Sequence, residues 1–334
     1  MAAVNRPADS VRPSPLAALG DALRRDAWLG GLLGLVVLLL VFTRIIQPSY
    51  GATGVQGLAL SVMPLALAAV AQTIVVIAGG LDLSIASVMA LTNVVAATQM
   101  LGRSDEVGVG IAIGVLVLGL VIGAINGILV VTTRVADIIV TLAMSFVWAG
   151  FALWIAQAPV RSPHPWLANL VTGPIFSEWI PRGFIVLAVV VAMVWIPLRR
   201  SRLGLSLYAV GSNQLAAFRS GVSVGRTKVF AYAFAGLFAA MGGLALTAIT
   251  GQGAPLPGGY TLASVAAVVL GGVSLAGGRG GVTGPMLAVV VLSLIQTDLT
   301  FLRLNSNLAT VTQGVILIVV VMVGSLAQLR RTRT

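Results

Sequence analysis

The longest stretch without a charged side chain runs from Val229 to Gly278 and reads VFAYAFAGLFAAMGGLALTAITGQGAPLPGGYTLASVAAVVLGGVSLAGG. One membrane-spanning helix needs roughly 20 predominantly apolar residues, so this stretch is long enough for two. Glycine and proline interrupt it at QGAPLPGG, residues 252–259, where a helix is not expected to continue. The stretch therefore predicts two membrane spans with a break between them.

The rest of the chain repeats this pattern. Between Leu58 and Met100 the only charged residue is Asp82, so this segment also predicts two spans. Six single spans complete a count of ten, at about 28–46, 108–131, 138–157, 183–198, 281–300 and 307–327. The pattern predicts an all-α polytopic membrane protein with about ten transmembrane helices.

The composition excludes several classes of protein. The chain is 58% hydrophobic and 9% charged, with a mean hydropathy of +1.05. A soluble domain carries about 25% charged residues, so an ordinary soluble enzyme and a disordered chain are excluded. The net charge of +11 follows the predicted loops, which indicates a lipid bilayer as the partner and not nucleic acid.

Lysine and arginine predict the orientation. If the N-terminus is inside, fifteen of the 20 Lys and Arg residues lie in inner segments, so both termini are expected to be cytoplasmic. Three regions follow: a cytoplasmic tail at 1–27 without a signal peptide, a transmembrane domain at 28–327, and a cytoplasmic tail at 328–334. The longest inner loop is predicted at 199–227. The longest outer loop, at 158–182, contains five prolines and is expected to be irregular, with at most a short helix.

The chain lacks the residues of common catalytic sites. Its one lysine, Lys228, follows Thr227 and precedes Val229, so a Walker A motif of the form GxxxxGK[ST] cannot be present. Cysteine is absent, and the single His164 is expected to be a solvated loop residue without a metal. Catalysis by this chain is therefore not expected.

Three aspartates bear on ion coupling: Asp82, Asp137 and Asp298. Only Asp82 is expected to lie deep in the membrane, whereas the other two fall near interfaces where an acid stays hydrated. One buried acid without a basic partner makes a poor proton relay. Carbonyl and hydroxyl groups could still couple an ion, so a stand-alone secondary transporter remains an alternative.

The segment Ala78–Ser84, AGGLDLS, interrupts an apolar run. Two glycines weaken a helix, and Asp or Ser can cap the one that follows, so a broken helix is predicted with Gly79, Gly80, Asp82 and Ser84 as its motif. The alternative is a plain cytoplasmic hairpin. A partial repeat, VVLGGVSL at 268–275, follows 192 residues later and is either an internal repeat or a chance likeness.

The inner loop contains a second local signal. Asn213 is a candidate N-cap, residues 215–219 make one or two helical turns, and Gly221 is a candidate helix stop. Such a short helix could fit a groove on a cytoplasmic partner. A solvated basic loop that only sets the topology is an equal alternative.

Polar residues within apolar runs are candidates for a translocation path, because they are expensive in lipid and tend to face the bundle interior. The candidates are Gln72, Thr73, Asn93, Asn126, Thr141, Ser145, Gln296 and Gln313. The alternative is helix–helix hydrogen bonding, which contributes about 0.6 kcal/mol for each bond.

Four ordered motifs, spread over about 28–327, resemble the permease subunits of ABC importers of the ribose/galactose type. They are GGLDLS at 79–84, Asn126-Gly127 with IVTL at 139–142, the YAVG…SG loop at 208–221, and AAVVLGGVSLAGGRG at 266–280. The chain departs from this pattern at Ile85-Ala86, at Ala136-Asp137, and at 260–264, which lacks an acid. These departures do not change the expected fold, but they prevent the assignment of a substrate from the resemblance.

The resemblance implies a fold and a set of partners. It implies a ribose-type ABC permease fold in the bacterial inner membrane, importing a monosaccharide or polyol. A second permease chain, an external sugar-binding protein and a separate ATP-binding subunit are implied, with ATP and Mg on that subunit and no cofactor on this chain. The residues implied to contact the ATP-binding subunit are Tyr208, Gly211, Asn213, Ala216, Ala217, Arg219 and Gly221. A permease for branched-chain amino acids is a related alternative.

Overall fold

The computed structural model describes residues 27–162, 164–256 and 258–303, together with 311, 314 and 315. Its helices of 16 residues or more are α1 (Ala27–Ile46), α2 (Ala52–Ile77), α3 (Ile85–Met100), α4 (Asp105–Thr133), α5 (Asp137–Ile155), α7 (Arg182–Arg200), α10 (Val224–Thr250) and α12 (Thr283–Phe301). Shorter helices are α6 (Pro165–Val171), α8 (Arg202–Ser212), α9 (Gln214–Arg219) and α11 (Tyr260–Leu270). Two-residue strands β1 (Val160–Arg161) and β2 (Gln252–Gly253) pair antiparallel.

Within the described residues, seven helices are long and apolar enough to cross a membrane, and α3 and α11 are shorter apolar helices. The predicted span at 307–327 and the predicted tails at 1–27 and 328–334 lie almost wholly outside the described residues. The 11 residues of α11 rise only ~16 Å, about half the ~30 Å hydrocarbon core. The expected full span after the 252–259 break is therefore a half-length helix that ends at the second glycine pair.

Helices α2 and α10 form the centre of the bundle, and both pack against several neighbours. The closest approach joins α10 to α4, where Gly119, Gly123 and Gly127 face the backbone of α10. A methyl group on Gly123 would collide with the Tyr232 carbonyl oxygen, so only glycine permits this separation. The high glycine content of the sequence thus serves helix packing.

Both glycine pairs end a helix by the same capping geometry. At the end of α2, Gly79 N–H donates to the Val76 carbonyl and Gly80 N–H to the Val75 carbonyl. At the end of α11, Gly272 and Val273 donate to Val269 and Val268 in the same pattern, a Schellman motif. Gly79 and Gly272 hold the positive φ, at 80° and 78°. The two segments are therefore equivalent in structure, but with a shift of 193 residues and not the 192 that the sequence indicated.

The β1–β2 ribbon joins the predicted outer loop at 158–182 to the break at 252–259, through Val160 opposite Gly253. The end of α2 meets α8 at another junction, together with Gly277 and Gly278 of the loop after α11, where Gly278 N–H donates to the Ile77 carbonyl at 2.9 Å. The predicted inner loop at 199–227 is largely helical, because α8 and α9 occupy it. The sequence predicted the turns of α9 but missed α8.

Candidate functional site

A chain of hydrogen bonds holds the break between α2 and α3. Trp148 Nε1 donates to Asn126 Oδ1 at 3.0 Å, and Asn126 Nδ2 donates to Ser84 Oγ at 2.8 Å. Ser84 Oγ in turn donates to Asp82 Oδ1 at 2.6 Å. Asp82 is 3% exposed. The hydrogen-bond chain that leads to it starts at Trp148 on α5 and passes through Asn126 on α4. The Ala78–Ser84 segment is thus enclosed by protein, and it is not a freely solvated hairpin.

Side chains of neighbouring helices also satisfy the backbone of this segment. With its amide oriented to satisfy both groups, Gln72 donates to the Asp82 carbonyl at 2.9 Å and accepts from the Asp82 N–H at 3.3 Å. Leu83 N–H donates to Thr141 Oγ1 at 3.1 Å. Because buried backbone polar groups need partners, these contacts stabilise a non-helical segment inside the bundle.

The first turn of α3 is capped from another part of the chain. The sequence predicted that Ser84 or Asp82 would cap this helix, but the Ser84 hydroxyl is used by Asp82 and Asn126. Thr261 Oγ1 of α11 instead accepts from Ala86 N–H at 3.1 Å. The first break, between α2 and α3, is therefore tied directly to the half-length helix α11. That helix leads into the second break, which is the loop 271–282 between α11 and α12.

An ion pair lies beside the same break. Lys228 Nζ is 3.2 Å from Asp137 Oδ2, and the two side chains are 14% and 16% exposed. Tyr232 Oη lies 3.1 Å from the same Asp137 oxygen and 3.2 Å from the Leu81 carbonyl. The sequence expectation that the chain has no sheltered acid with a basic partner is therefore wrong, since α5 and α10 bring this pair together.

Asp298 is buried as well. It is 4% exposed, and Thr43 Oγ1 donates to its Oδ1 at 2.6 Å. The sequence placed Asp298 near a membrane interface, where it would be hydrated. Packing of α12 against α1 shields it instead.

Both breaks meet the end of α8 at a junction of closely packed glycines. Gly211 has no room for a side chain, because the Ile77 carbonyl and the Gly278 N–H lie against its Cα. Tyr208 Oη donates to the Gly280 carbonyl at 2.8 Å. Burial raises the pKa of Tyr208 above its ordinary value of 10.0, despite the lowering effect of Arg199, so the hydroxyl stays neutral and able to donate. Movement of α8 would therefore reach both breaks.

The short helix α9 has the predicted caps. Asn213 Oδ1 accepts from Ala216 N–H at 2.9 Å. Gly221 at φ 83° closes the helix, with its N–H donating to the Phe218 carbonyl. Leu215 is 58% exposed and Phe218 is 67% exposed, whereas Ala217 is buried.

The residues implied to contact the ATP-binding subunit divide into two groups. Asn213, Ala216, Arg219 and Gly221 are exposed on or beside α9, while Tyr208 and Gly211 are half-buried and face the glycine junction. The seventh, Ala217, belongs to neither group, because it is buried on the inner side of α9. Leu215 and Phe218, the most prominent apolar side chains of α9, are absent from that set. Their signal in the sequence was two large apolar residues three positions apart within residues 212–221, which are otherwise small or polar.

The candidate path residues also divide. Gln72, Asn93, Asn126 and Thr141 are at most 3% exposed. Each bonds to protein: Asn93 Oδ1, for example, accepts from Thr247 Oγ1 at 3.2 Å. Thr73 is likewise buried and donates to its own helix. These residues thus bond to other protein groups: to the break segment, to a neighbouring helix or, for Thr73, to their own helix.

Gln296 has different surroundings. It lies in a groove of about 220 Å³ between α2 and α12, which has both polar and apolar side chains in its lining. The groove is lined by Ser61, Leu65, Tyr260, Leu292, Ser293, Gln296, Thr297 and Thr300. Ser145 is partly exposed and bonds to its own helix, and Gln313 lies outside the described residues.

Metal chemistry has no support in the part of the chain that the structure describes. No group of three or more His, Asp or Glu side chains there is placed to hold a metal ion. His164 is 7% exposed, so the expectation of a solvated loop histidine is wrong. The ring packs edge-on against Trp166 at 6.0 Å between centroids, which shields it from solvent.

Comparison with known proteins assigns a family. A family model described as "Branched-chain amino acid transport system / permease component" matches residues 54–321. The ribose import permease protein RbsC of Escherichia coli strain K12 is 33% identical over 270 residues, which are 79% of this chain and 83% of the relative. No solved structure matches.

Two other relatives cover similar shares of the chain. The L-arabinose ABC transporter permease protein AraH of Azospirillum brasilense is 32% identical over 325 residues, 93% of each chain. The fructose import permease protein FrcC of Rhizobium meliloti is 30% identical over 262 residues, 75% of this chain and 72% of the relative. Because the family model and these relatives cover most of its length, the chain belongs to the family of ABC transporter permease components and is a multi-pass membrane protein.

Proposed function

We propose that this protein is the membrane-spanning subunit of an ATP-driven importer of a monosaccharide or related polyol. The supporting observation is similarity over most of the chain to permeases whose names specify ribose, L-arabinose and fructose. The proposal includes ten spans in the bacterial inner membrane, both termini in the cytoplasm, a second permease chain and an external sugar-binding protein. Family membership favours this role over a stand-alone secondary transporter.

We assign α9 as the contact for the ATP-binding subunit, which would hold ATP and Mg. Its exposed Leu215 and Phe218 offer an apolar contact, and Arg219 adds a charge beside it. Helix α8 directly precedes α9 in the chain, and its Gly211 touches both breaks. Closure of the ATP-binding subunits would thus move the break segments, which lie between helices.

We place the substrate path at the groove that contains Gln296. The groove carries hydroxyl and amide groups suited to a sugar, on helices α2 and α12. The buried Gln72, Asn93, Asn126 and Thr141 would hold the breaks and helices in position beside it. Cysteine introduced at Gln296 should react with a small polar thiol reagent, whereas cysteine at Asn126 should not; equal labelling of both would contradict the placement.

The first experiment is purification of the tagged chain from native membranes in mild detergent, with the co-purifying proteins identified by mass spectrometry. A stoichiometric partner with a Walker A motif is expected. Leu215→Asp and Phe218→Asp should each remove that partner, because a buried carboxylate would replace an apolar contact. The matched control is Leu256→Asp in the 252–259 break, because Leu256 is also largely exposed, at 69%. Retention of the partner by both α9 variants would contradict the contact.

Gly221 tests whether the shape of α9 matters. At φ 83° an alanine is strained by roughly 1–2 kcal/mol, whereas asparagine tolerates this conformation better. No atom lies within 4 Å of the position that a Cβ would take at residue 221. Any effect of the substitution therefore comes from backbone strain and not from a steric collision. Gly221→Ala should lower uptake by the assembled transporter more than Gly221→Asn, at equal membrane abundance. Equal uptake by both would show that the cap has no role in coupling.

A permease for branched-chain amino acids is the second candidate, because the description of the family model names that substrate class. Uptake of radiolabelled ribose, L-arabinose, fructose and leucine by cells with the complete transporter would separate the two. Competition by sugars supports the proposal. Transport of leucine alone would replace it.

A further inference from the structure

The Asp137 carboxylate joins two helices that make few other contacts with each other. Helix α5 packs against α3 and α4, whereas α10 packs against α2, α3 and α4. Among the described residues, the side-chain hydrogen bonds between α5 and α10 are those of Asp137 with Lys228 Nζ and Tyr232 Oη. This cluster is therefore the direct polar link between the two helices.

The same cluster contacts the first break. A Cβ at Gly80 would lie 2.5 Å from Asp137 Oδ2 and 2.9 Å from Tyr232 Oη, so both atoms pack directly against this glycine. Tyr232 Oη is also 3.2 Å from the Leu81 carbonyl, and its one proton can go either to the carboxylate or to the break. The cluster thus connects the start of α5, helix α10 and the segment between α2 and α3.

The contacts in the cluster are loose enough to break and form again. Lys228 Nζ lies 3.3 and 3.2 Å from the two Asp137 oxygens, longer than the roughly 2.7–2.9 Å of a strong charge-assisted bond. The two side chains are 14% and 16% exposed, so water can replace each partner when they separate. Few residues of α5 are buried in the bundle, in contrast to α10. Movement of the start of α5 therefore loses little packing.

The cluster lies at the end of the bundle that the charge bias predicts to be inside, with the loop between α4 and α5 and the 199–227 loop. Helix α10 begins at Val224, five positions after α9 ends at Arg219. Motion of α9 therefore reaches Lys228 through a short connection. Asp137 stands at one of the departures from the ribose-type pattern, so the resemblance does not imply this cluster.

We propose that Asp137, Lys228 and Tyr232 form a latch that holds the inner ends of α5 and α10 at the first break and that must open in each transport cycle. The latch rests on the function proposed above, in which α9 receives the motion of the ATP-binding subunits. That motion shifts the start of α10 and draws Lys228 and Tyr232 away from Asp137. The segment between α2 and α3 is then free to move.

A covalent tether tests whether the latch must open. The chain has no cysteine, so Asp137→Cys with Lys228→Cys can be joined by a short bis-methanethiosulfonate reagent that a reductant cleaves. In the complete transporter, the tether should abolish sugar uptake in proportion to the cross-linked fraction, and the reductant should restore it. The two single-cysteine variants, treated with the same reagent, are the matched controls. Full uptake by the tethered protein would overturn the latch.

Hydrogen exchange in the purified full chain tests the latch without transport. Lys228→Met with Asp137→Asn removes the latch and leaves no stranded charge, so amides of residues 79–86 should exchange about fivefold faster. Gly80→Ala should act in the same way, because its Cβ displaces the carboxylate while its φ is outside the left-handed region. Arg226→Met, exposed on α10, is the control.

The outcomes separate the latch from the proposed function. Unchanged exchange at residues 79–86 in either the double variant or Gly80→Ala would overturn the latch. Faster exchange in both, in a protein whose wild type imports no sugar, would support the contact and contradict the proposed function instead.

Discussion

At the scale of single residues, the polar side chains inside the spans stabilise the non-helical segment. Asn126 is the clearest case, because it accepts from Trp148 and donates to Ser84. Its position in a long apolar run indicated either that it faces a translocation path or that it bonds to a neighbouring helix. The sequence did not decide between these two roles. The structure places it among protein groups at 0% exposure.

Replacing Asn126 by alanine should destabilise the protein. The change strands the indole N–H of Trp148 and one lone pair of Ser84, each at a cost of about 1–3 kcal/mol. Thermal unfolding in detergent should show a clear fall in Tm. Ser145→Ala is the control, because Ser145 bonds only to the Leu142 carbonyl of its own helix. Equal Tm values for the two variants would contradict the role of Asn126.

The pair of Lys228 and Asp137 should show strong coupling. Lys228→Met alone leaves a sheltered carboxylate without its cation, whereas adding Asp137→Asn removes the stranded charge. The double variant should therefore be more stable than Lys228→Met, as judged by Tm in detergent. Arg226→Met, on the same helix but exposed, is the control. Additive losses in the double variant would show that the pair is not coupled.

At the scale of elements, glycine decides where helices end and how closely they approach. The same Schellman geometry closes α2, α9 and α11, through Gly79, Gly221 and Gly272. A different set of glycines, Gly119, Gly123 and Gly236, permits the contact of α4 with α10. Composition indicated close packing, but only the structure separates the two uses.

Gly123→Ala should be among the most damaging single-methyl changes in the bundle. Its Cβ would collide with the Tyr232 carbonyl, which is backbone and cannot move away alone. Overpacking of this kind costs about 1–3 kcal/mol or more, so Tm in detergent should fall markedly. Gly114→Ala on the lipid-facing side of α4 has nothing within 4 Å and should change little. A harmless Gly123→Ala would mean that the two helices are further apart.

At the scale of the whole molecule, the ribbon end and the α8 junction define the two ends of the bundle. The ribbon joins segments that the charge bias places outside, and α8 and α9 lie in the segment that it places inside. Charge bias and tertiary pairing are independent observations, and they agree on which loops share a side. Absolute orientation is still a prediction.

Labelling with a membrane-impermeant maleimide in intact cells would test that orientation. The chain has no cysteine, so single substitutions give an unambiguous signal. Ser177→Cys, in the loop after α6, should react from outside. Ser220→Cys, beside α9, should react only after the membrane is permeabilised. The reverse pattern would invert the proposed topology.

Local chemistry determined what the sequence could predict. Apolar runs predicted the membrane class and the long helices, because a helix in lipid must satisfy its own backbone. Asn213 and Gly221 predicted the caps of α9, since capping involves residues within a few positions. The four ordered motifs predicted the family.

Contacts between distant residues decided the rest. Thr261 caps α3 from 175 positions away, and Trp28 Nε1 donates to the Leu270 carbonyl across 242 positions. No local pattern encodes such partners, so the sequence misassigned the cap of α3 and the surroundings of Asp298. Whether a buried polar residue faces a path or another helix depends on which helices surround it, and packing alone determines that.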